Sequence, residues 1–293
     1  DLELEDSKIS IERGKTSTKI DTQLRTKGRL NFSEIKKLST LFNFNLSKFE
    51  ELKGIINLST NLNFNINNKF KVKDLLYSTI GNIEYLEIKT TENDIIRKYL
   101  PEFDSLLVFK DTKIQFTNSK SSHLTKLDGF IKSKEHFDNF KITESYNYDD
   151  KSFNINGNLD LTNSKVVLAK LNYTKKHQMK SEINFDIKFI LKKYYIINSL
   201  NFLAEKTNII LSNIKLNKKF EVEDFEKLKI KTFINKIKNN DFLINKSKKI
   251  VVSGDIFDAQ PLLKTLYKKD DKKTFSKNFK RNIKINFKKT LTG

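Results

Sequence analysis

The chain has 293 residues, with 56 Lys and Arg against 36 Asp and Glu, for a formal net charge of +20. It has no cysteine, which excludes disulfides, thiolate metal sites and cysteine nucleophiles. The sequence shows no signal peptide and no apolar run near the length of a membrane-crossing helix, and it lacks an initiator Met, so we expect a piece of a longer protein.

Taken in order, Leu2/Leu4 and Ile9/Ile11 are short strand candidates, and Leu30/Phe32 begins a clearer strand after Gly28. Ser33 to Leu38 reads as one helical turn, and Phe42/Phe44/Leu46 as a strand. Gly54 to Leu58 leads to Leu62/Phe64/Ile66, then Asn67-Asn68, then Phe70/Val72. Two alternating runs flanking Asn-Asn form the best hairpin signal in the chain. Ile83, Tyr85 and Ile88 restart the pattern after Gly81. Residues 93–104, within a soft boundary near 91–105, break it: Asn93 or Asp94 caps a short helix through Ile95, Ile96, Tyr99 and Leu100, which Pro101 limits. This is the candidate soft boundary of an otherwise single elongated segment, 1–293.

Strands resume at Leu106/Val108 and Ile114/Phe116. Residues 117–128 look like a polar loop. Gly129 to Ile131, Phe140/Ile142, Tyr146/Tyr148 and Phe153/Ile155 follow. Ile183-Asn-Phe185-Asp-Ile187-Lys-Phe189 is a long alternating run, with side chains of opposite character on opposite faces. After Leu200/Phe202, Ile209/Leu211 and Ile214/Leu216, the set Phe225, Leu228, Ile230, Phe233 and Ile237 fits either strand or helix. Phe242/Ile244 and Ile250/Val252 are strands. Asp258 then caps a short helix with Pro261 in its first turn, where a missing N–H costs nothing. Ile283/Ile285/Phe287 is a last strand.

Six glycines (Gly28, Gly54, Gly81, Gly129, Gly157, Gly254) sit within or beside alternating runs, where they supply a bulge, bend or turn. Short spacing between strands and the shortage of helices argue for antiparallel pairing. The expected fold class is mainly β, a long antiparallel meander with one or two short helices. Its 24 Phe against zero Trp, spaced by two with Ile and Leu, give a wide apolar face that must be buried against something.

The charge has two explanations. One is a surface for nucleic acid or anionic membrane. The other is drift toward Lys, Asn and Ile, which the scatter of lysines between apolar residues fits better. Lys268 to Lys289 is the exception, a basic cluster suited to an anion.

Catalytic signals are lacking. His123, His136 and His177 have no partner at metal-ligand spacing and lie in polar neighbourhoods, as solvated histidines do. Asp149-Asp150 and Asp270-Asp271 are adjacent, so on extended chain they point apart and suit turns better than an acid–base dyad. No nucleophile elbow, zinc motif or phosphate-cradling loop is present. We expect no enzyme, no catalytic residue, no metal and no cofactor.

Three pieces of the 156–266 stretch carry a resemblance. They are Gly157-Asn-Leu159-Asp-Leu161-Thr-Asn-Ser-Lys-Val166-Val-Leu168-Ala-Lys-Leu171-Asn-Tyr173-Thr-Lys175, the strand Ser181 to Phe189, and Val252-Ser-Gly254-Asp-Ile-Phe257-Asp258-Ala259-Gln260-Pro261-Leu262-Leu263. In order and spacing they resemble the AsmA-like superfamily, most closely the large YhdP-type bacterial envelope proteins. Ser164 stands for the family's usual Ala, Ala169 for Pro, Tyr173 for Trp and Gln260 for Arg, and Lys176-His177-Gln178 lacks the usual Pro-Gly.

The resemblance implies a long sheet curled into an open apolar groove. It implies a periplasmic protein of the cell envelope, anchored to the inner membrane by a segment outside this chain. Such proteins carry phospholipid toward the outer membrane. The expected partner is therefore phospholipid, with both membranes engaged through segments outside the chain and no nucleic acid. Candidate groove-lining residues are Phe42, Phe44, Leu62, Phe64, Ile66, Phe153, Ile155, Ile183, Phe185, Ile187 and Phe189. A bulge of one residue exchanges inside for outside. The alternatives are an outer-membrane β-barrel, a structural β-domain whose apolar face is covered by protein, and a nucleic-acid-binding protein.

Overall fold

Residues alternating at period two form strands because successive side chains then leave on opposite faces. Strands dominate this chain. The structure is a computed structural model that describes residues 2–33, 36, 49–91, 94–133, 135–190, 193–267 and 282–292. It is mainly β. The chain divides into two compact units, Asp1–Asn93 with Asp104–Asp150, and Asp94–Phe103 with Lys151–Gly293. The segment 94–103, inside the expected soft boundary, thus belongs with the second unit while its flanks belong with the first.

The first unit is a meander of seven strands: β1 (Leu2–Arg13), β2 (Ser17–Asn31), β3 (Phe49–Asn67), β4 (Val72–Thr90), β5 (Leu106–Asn118), β6 (Ser122–Ser133) and β7 (His136–Asn147). Each pairs antiparallel with the next. β2 shows the one-sided character plainly. From Thr22 to Leu30 the even-numbered residues are half-buried and the odd-numbered ones from Gln23 to Arg29 are exposed.

The second unit contains α1 (Asp94–Tyr99) and the strands β8 (Ser152–Asp160), β11 (Ser181–Ile190), β12 (Tyr194–Ala204), β13 (Thr207–Leu216), β15 (Lys227–Ile234), β16 (Ile237–Lys246), β17 (Ile250–Asp258) and β18 (Ile283–Leu291), paired in that order. A separate small hairpin joins β9 (Val166–Leu168) to β10 (Tyr173–Lys175) through a 3-10 turn, Ala169–Leu171. β14 (Val222–Asp224) folds back onto the end of β13. The helix α2 (Gln260–Tyr267) follows β17. Among the described residues, neither unit pairs its last strand with its first.

Several expectations change. The sheet is not wholly antiparallel, because β17 and β18 run parallel. The stretch 259–282 between them gives the long connection that a parallel return needs. Residues 122–128 are strand, not loop, and only 119–121 form the turn. Their polar side chains are paired across strands, as set out below. The runs Gly54–Leu58 and Leu62–Ile66 are one strand of 19 residues, which bulges rather than stopping. Phe70 lies in the turn, not in the strand. Phe225 precedes β15 and Ile237 opens β16, so the ambiguous set is extended and not helical. Phe42/Phe44/Leu46 lies outside the described residues.

Two bulges of unit 1 fall on one line of the register, which runs through Ile56, Ile83, Thr112, Gly129 and Phe140. Bulges fall at Ile55/Ile56 and Lys110/Lys113, and bulges raise twist and kink a strand. Glycine stands where neighbouring backbones then come too close for a side chain. A Cβ on Gly81 would lie 2.2 Å from the Asn57 carbonyl oxygen, and one on Gly129 2.3 Å from Thr112 Oγ1. The most buried residues of the unit gather at this line, among them Ile56, Ile83, Thr112 and Phe140. The even-numbered face of β2 adjoins this line through Gly28 opposite Ile56, and it is the more sheltered of the two faces.

Candidate functional site

The pairing register places side chains in rows across each unit. In unit 1 one row reads Ile9, Thr22, Leu62, Tyr77, Asn118, His123 and Tyr146. Beside it stand Ile11, Ile20 and Phe64, and then Thr18, Ile66 and Val72. The expected lining residues Leu62, Phe64 and Ile66 therefore share one face of β3, and all three are half-buried. Five members of the first row, Ile9 to Asn118, line a trough of about 590 Å³. Burial pushes the Tyr77 phenol above its usual range, so the ring stands neutral there.

Polar groups on this face pair with one another. His123 Nε2 lies 3.0 Å from Glu144 Oε1, and Thr125 Oγ1 donates to Glu144 Oε2 at 3.0 Å. Thr60 and Thr79 share a hydrogen bond of 2.9 Å. His123 also stacks between Phe116 and Tyr146, with centroids at 5.9 and 5.4 Å. It is thus a half-buried member of an aromatic ladder, not the solvated histidine expected. The sequence signal for this was its alternation with Thr125 and Leu127.

In unit 2 the corresponding face is continuous. Phe153, Ile155 and Leu159 of β8 face Phe189, Ile187 and Ile183 of β11, while Phe185 faces Gly157. β12 adds Tyr195, Ile197, Leu200 and Phe202 opposite them. The expected residues Phe153, Ile155, Ile183, Phe185, Ile187 and Phe189 therefore share one face, all half-buried. Phe42 and Phe44 lie outside the described residues.

Protein covers both ends of this face. At one end Val166 and Tyr173 of the β9–β10 hairpin pack on Phe202, Ile209, Ile230 and Phe242, with Leu100 and Ile183 against the same cluster. At the other, Phe225 and Val222 pack with Ile214 and Ile250. Phe185, Ile187, Phe189, Phe153 and Ile155 belong to neither cluster.

The covering hairpin is held by buried polar groups that sequence reasoning passed over. Lys175 is 0 % exposed. Its ammonium donates to the carbonyls of Leu161, Thr162 (2.8 Å) and Ser164 (2.6 Å), and so closes the loop before β9. A charge buried this deeply persists only with such partners. Asn240, also 0 % exposed, donates to the Leu171 carbonyl and to Thr232 Oγ1, each at 2.9 Å, and accepts from the Asp258 N–H at 3.0 Å. Asn239 donates to the Leu171 carbonyl at 3.1 Å and accepts from Thr232. Asp258 accepts from Asn172 at 2.8 Å and from the N–H of Gln260, where α2 begins, at 3.1 Å. The first and third pieces of the family-like pattern meet here: they pin the hairpin over the apolar face. His177 adds a contact to Glu102 at 2.8 Å and one to the Asn163 carbonyl at 2.7 Å.

Among the described residues, no group of three or more His, Asp or Glu is placed to hold a metal. Nor is any helix among them long and apolar enough to cross a membrane. Comparison with protein families, curated proteins and solved structures finds no match to this chain.

Proposed function

We propose that the chain is a segment of an AsmA-like, YhdP-type protein of the bacterial envelope. In this reading it lies in the periplasm, is anchored to the inner membrane by a segment outside the chain, and holds phospholipid acyl chains on its inner sheet faces during transfer toward the outer membrane. One observation carries the proposal. One face of unit 1 gathers Ile9, Ile11, Ile20, Leu62, Phe64 and Ile66 among Thr22, Tyr77 and paired polar groups, yet among the described residues the strands of the unit pack chiefly on their neighbours in the sheet, and the open trough on this face measures about 590 Å³. An apolar face without a protein cover needs another apolar partner. Acyl chains fit, since each buried CH₂ contributes about 0.8 kcal/mol. Sliding a chain along equivalent rows exchanges like contacts for like and costs little net energy.

The test places a charge on each face, Leu62→Asp in unit 1 and Phe185→Asp in unit 2. Both sites are half-buried, so the sheets have room to keep their pairing. Photo-cross-linking of phospholipid to the purified chain should fall in both variants. Cross-linking at the parent level in both, with folding intact, would contradict the proposal.

A further inference from the structure

Two hairpin tips are built the same way. In unit 1 the turn is Asn67-Asn68-Lys69-Phe70-Lys71, and in unit 2 it is Asn217-Lys218-Lys219-Phe220-Glu221. In each, the Asn Oδ1 accepts from the N–H groups two and four residues on, at 3.0 and 3.0 Å in the first and 2.8 and 3.0 Å in the second. In both, the Phe N–H donates to the Asn carbonyl at 2.9 Å. This wiring sets the fourth residue in the left-handed region, with φ of 56° at Phe70 and 60° at Phe220. Glycine or asparagine is the ordinary occupant of such a position, because a Cβ crowds the backbone there. A bulky residue in this region is an outlier.

Folding does not explain the choice of phenylalanine. Phe70 is 89 % exposed, and Phe220 is 59 % exposed even though it stacks on Tyr195 at 4.7 Å. Each tip also ends an apolar face. In unit 1, Phe64, Ile66 and exposed Val72 lead from the trough to Phe70. In unit 2, Phe189 and Tyr195 lead to Phe220. Exposed lysines flank both rings, Lys69 and Lys71 on one turn and Lys218 and Lys219 on the other. The neighbouring acids are already engaged, Asp74 with Asn65 and Glu221 with Asn217.

We infer that these tips are contacts to an anionic lipid bilayer. The ring enters the boundary between head groups and acyl chains, and the lysines meet anionic head groups. A protein partner fits less well, since a single projecting ring offers a small fraction of the area that a stable interface buries. A bilayer takes in one ring without needing a complementary surface. The inference concerns the tips alone and does not require the sheet faces to hold lipid.

The test is co-sedimentation of the purified chain with vesicles of phosphatidylcholine and of equimolar phosphatidylcholine and phosphatidylglycerol. Binding to the anionic vesicles should exceed binding to the neutral ones and weaken with salt. Phe70→Asn and Phe220→Asn suit the left-handed backbone better than the parent residues, so thermal stability should hold or rise. Vesicle affinity should meanwhile drop roughly tenfold per ring. Lys69→Gln should lower it roughly fivefold. The inference is overturned if the parent chain sediments with neither vesicle, or if the doubly substituted chain binds as the parent does. It is also overturned if the rings drive self-association in place of vesicle binding. Lipid extraction from the same variants keeps the two proposals apart, because the tips should leave the content of the sheet faces unchanged.

Discussion

Asn240→Ala should open the hairpin that covers the apolar face of unit 2. The substitution removes three hydrogen bonds from a fully buried side chain. The Leu171 carbonyl keeps Asn239 as a donor, and Thr232 keeps its bond to Asn239. The Asp258 N–H loses its side-chain acceptor, and a buried unsatisfied donor costs about 1–3 kcal/mol. The void left by the amide and the lost grip on Leu171 bring the total to about 2–4 kcal/mol. That corresponds to a rise of roughly thirty- to several-hundred-fold in the open population, since each 1.4 kcal/mol is tenfold. Hydrogen exchange read by mass spectrometry separates 161–180 from β12 and β13. Exchange in 161–180 should accelerate by that factor, while Asn57→Ala, on an exposed site of β3, should leave it unchanged. Unaltered protection of 161–180 in Asn240→Ala would refute the claim that this polar cluster holds the hairpin down.

Gly129→Ala should lower the thermal midpoint of unit 1, because the added Cβ meets Thr112 at 2.3–2.8 Å and overpacking of this kind costs about 1–3 kcal/mol. Gly14→Ala, whose Cβ would meet only the Ser17 carbonyl oxygen at 3.0 Å, should cost less, and differential scanning calorimetry compares the two. Burial pushes the Tyr173 phenol above its ordinary value, so the fold favours the neutral ring. The stabilisation this gives is complete below pH of about 10 and is lost as pH rises through the folded-state value. Urea midpoints should therefore hold to that pH and fall above it, and Tyr173→Phe should flatten the alkaline limb.

Alternation made the strands legible because it is a local property. Ile183 to Phe189 announces β11, and the register then sets Phe153 and Ile155 beside it on one face. Non-local features were harder to read. Ser122 to Asp128 resembles a loop by polarity, and only the partners Glu144 and Tyr146, supplied by β7, make it a strand. The parallel pairing of β17 with β18 is set by a return across 259–282, which no window on either strand contains. Glycine within a strand could be placed as a bend or bulge, but the identity of the backbone it makes room for is tertiary. Lys175 and Asn240 look like surface residues in sequence. Their burial follows from a hairpin folded over the sheet, which brings carbonyls of 161–171 to each of them. The same holds for the apolar rows. Their period was visible, whereas which of them protein covers depended on where β9, β10 and Phe225 came to rest.

The central claim is that the inner faces hold phospholipid. Mass spectrometry of an organic extract of the purified chain tests it most directly. The account predicts co-purifying phospholipid in reproducible stoichiometry, reduced in Leu62→Asp and Phe185→Asp. A stably folded chain that yields no lipid would contradict it and leave a structural β-domain whose apolar face is covered by protein.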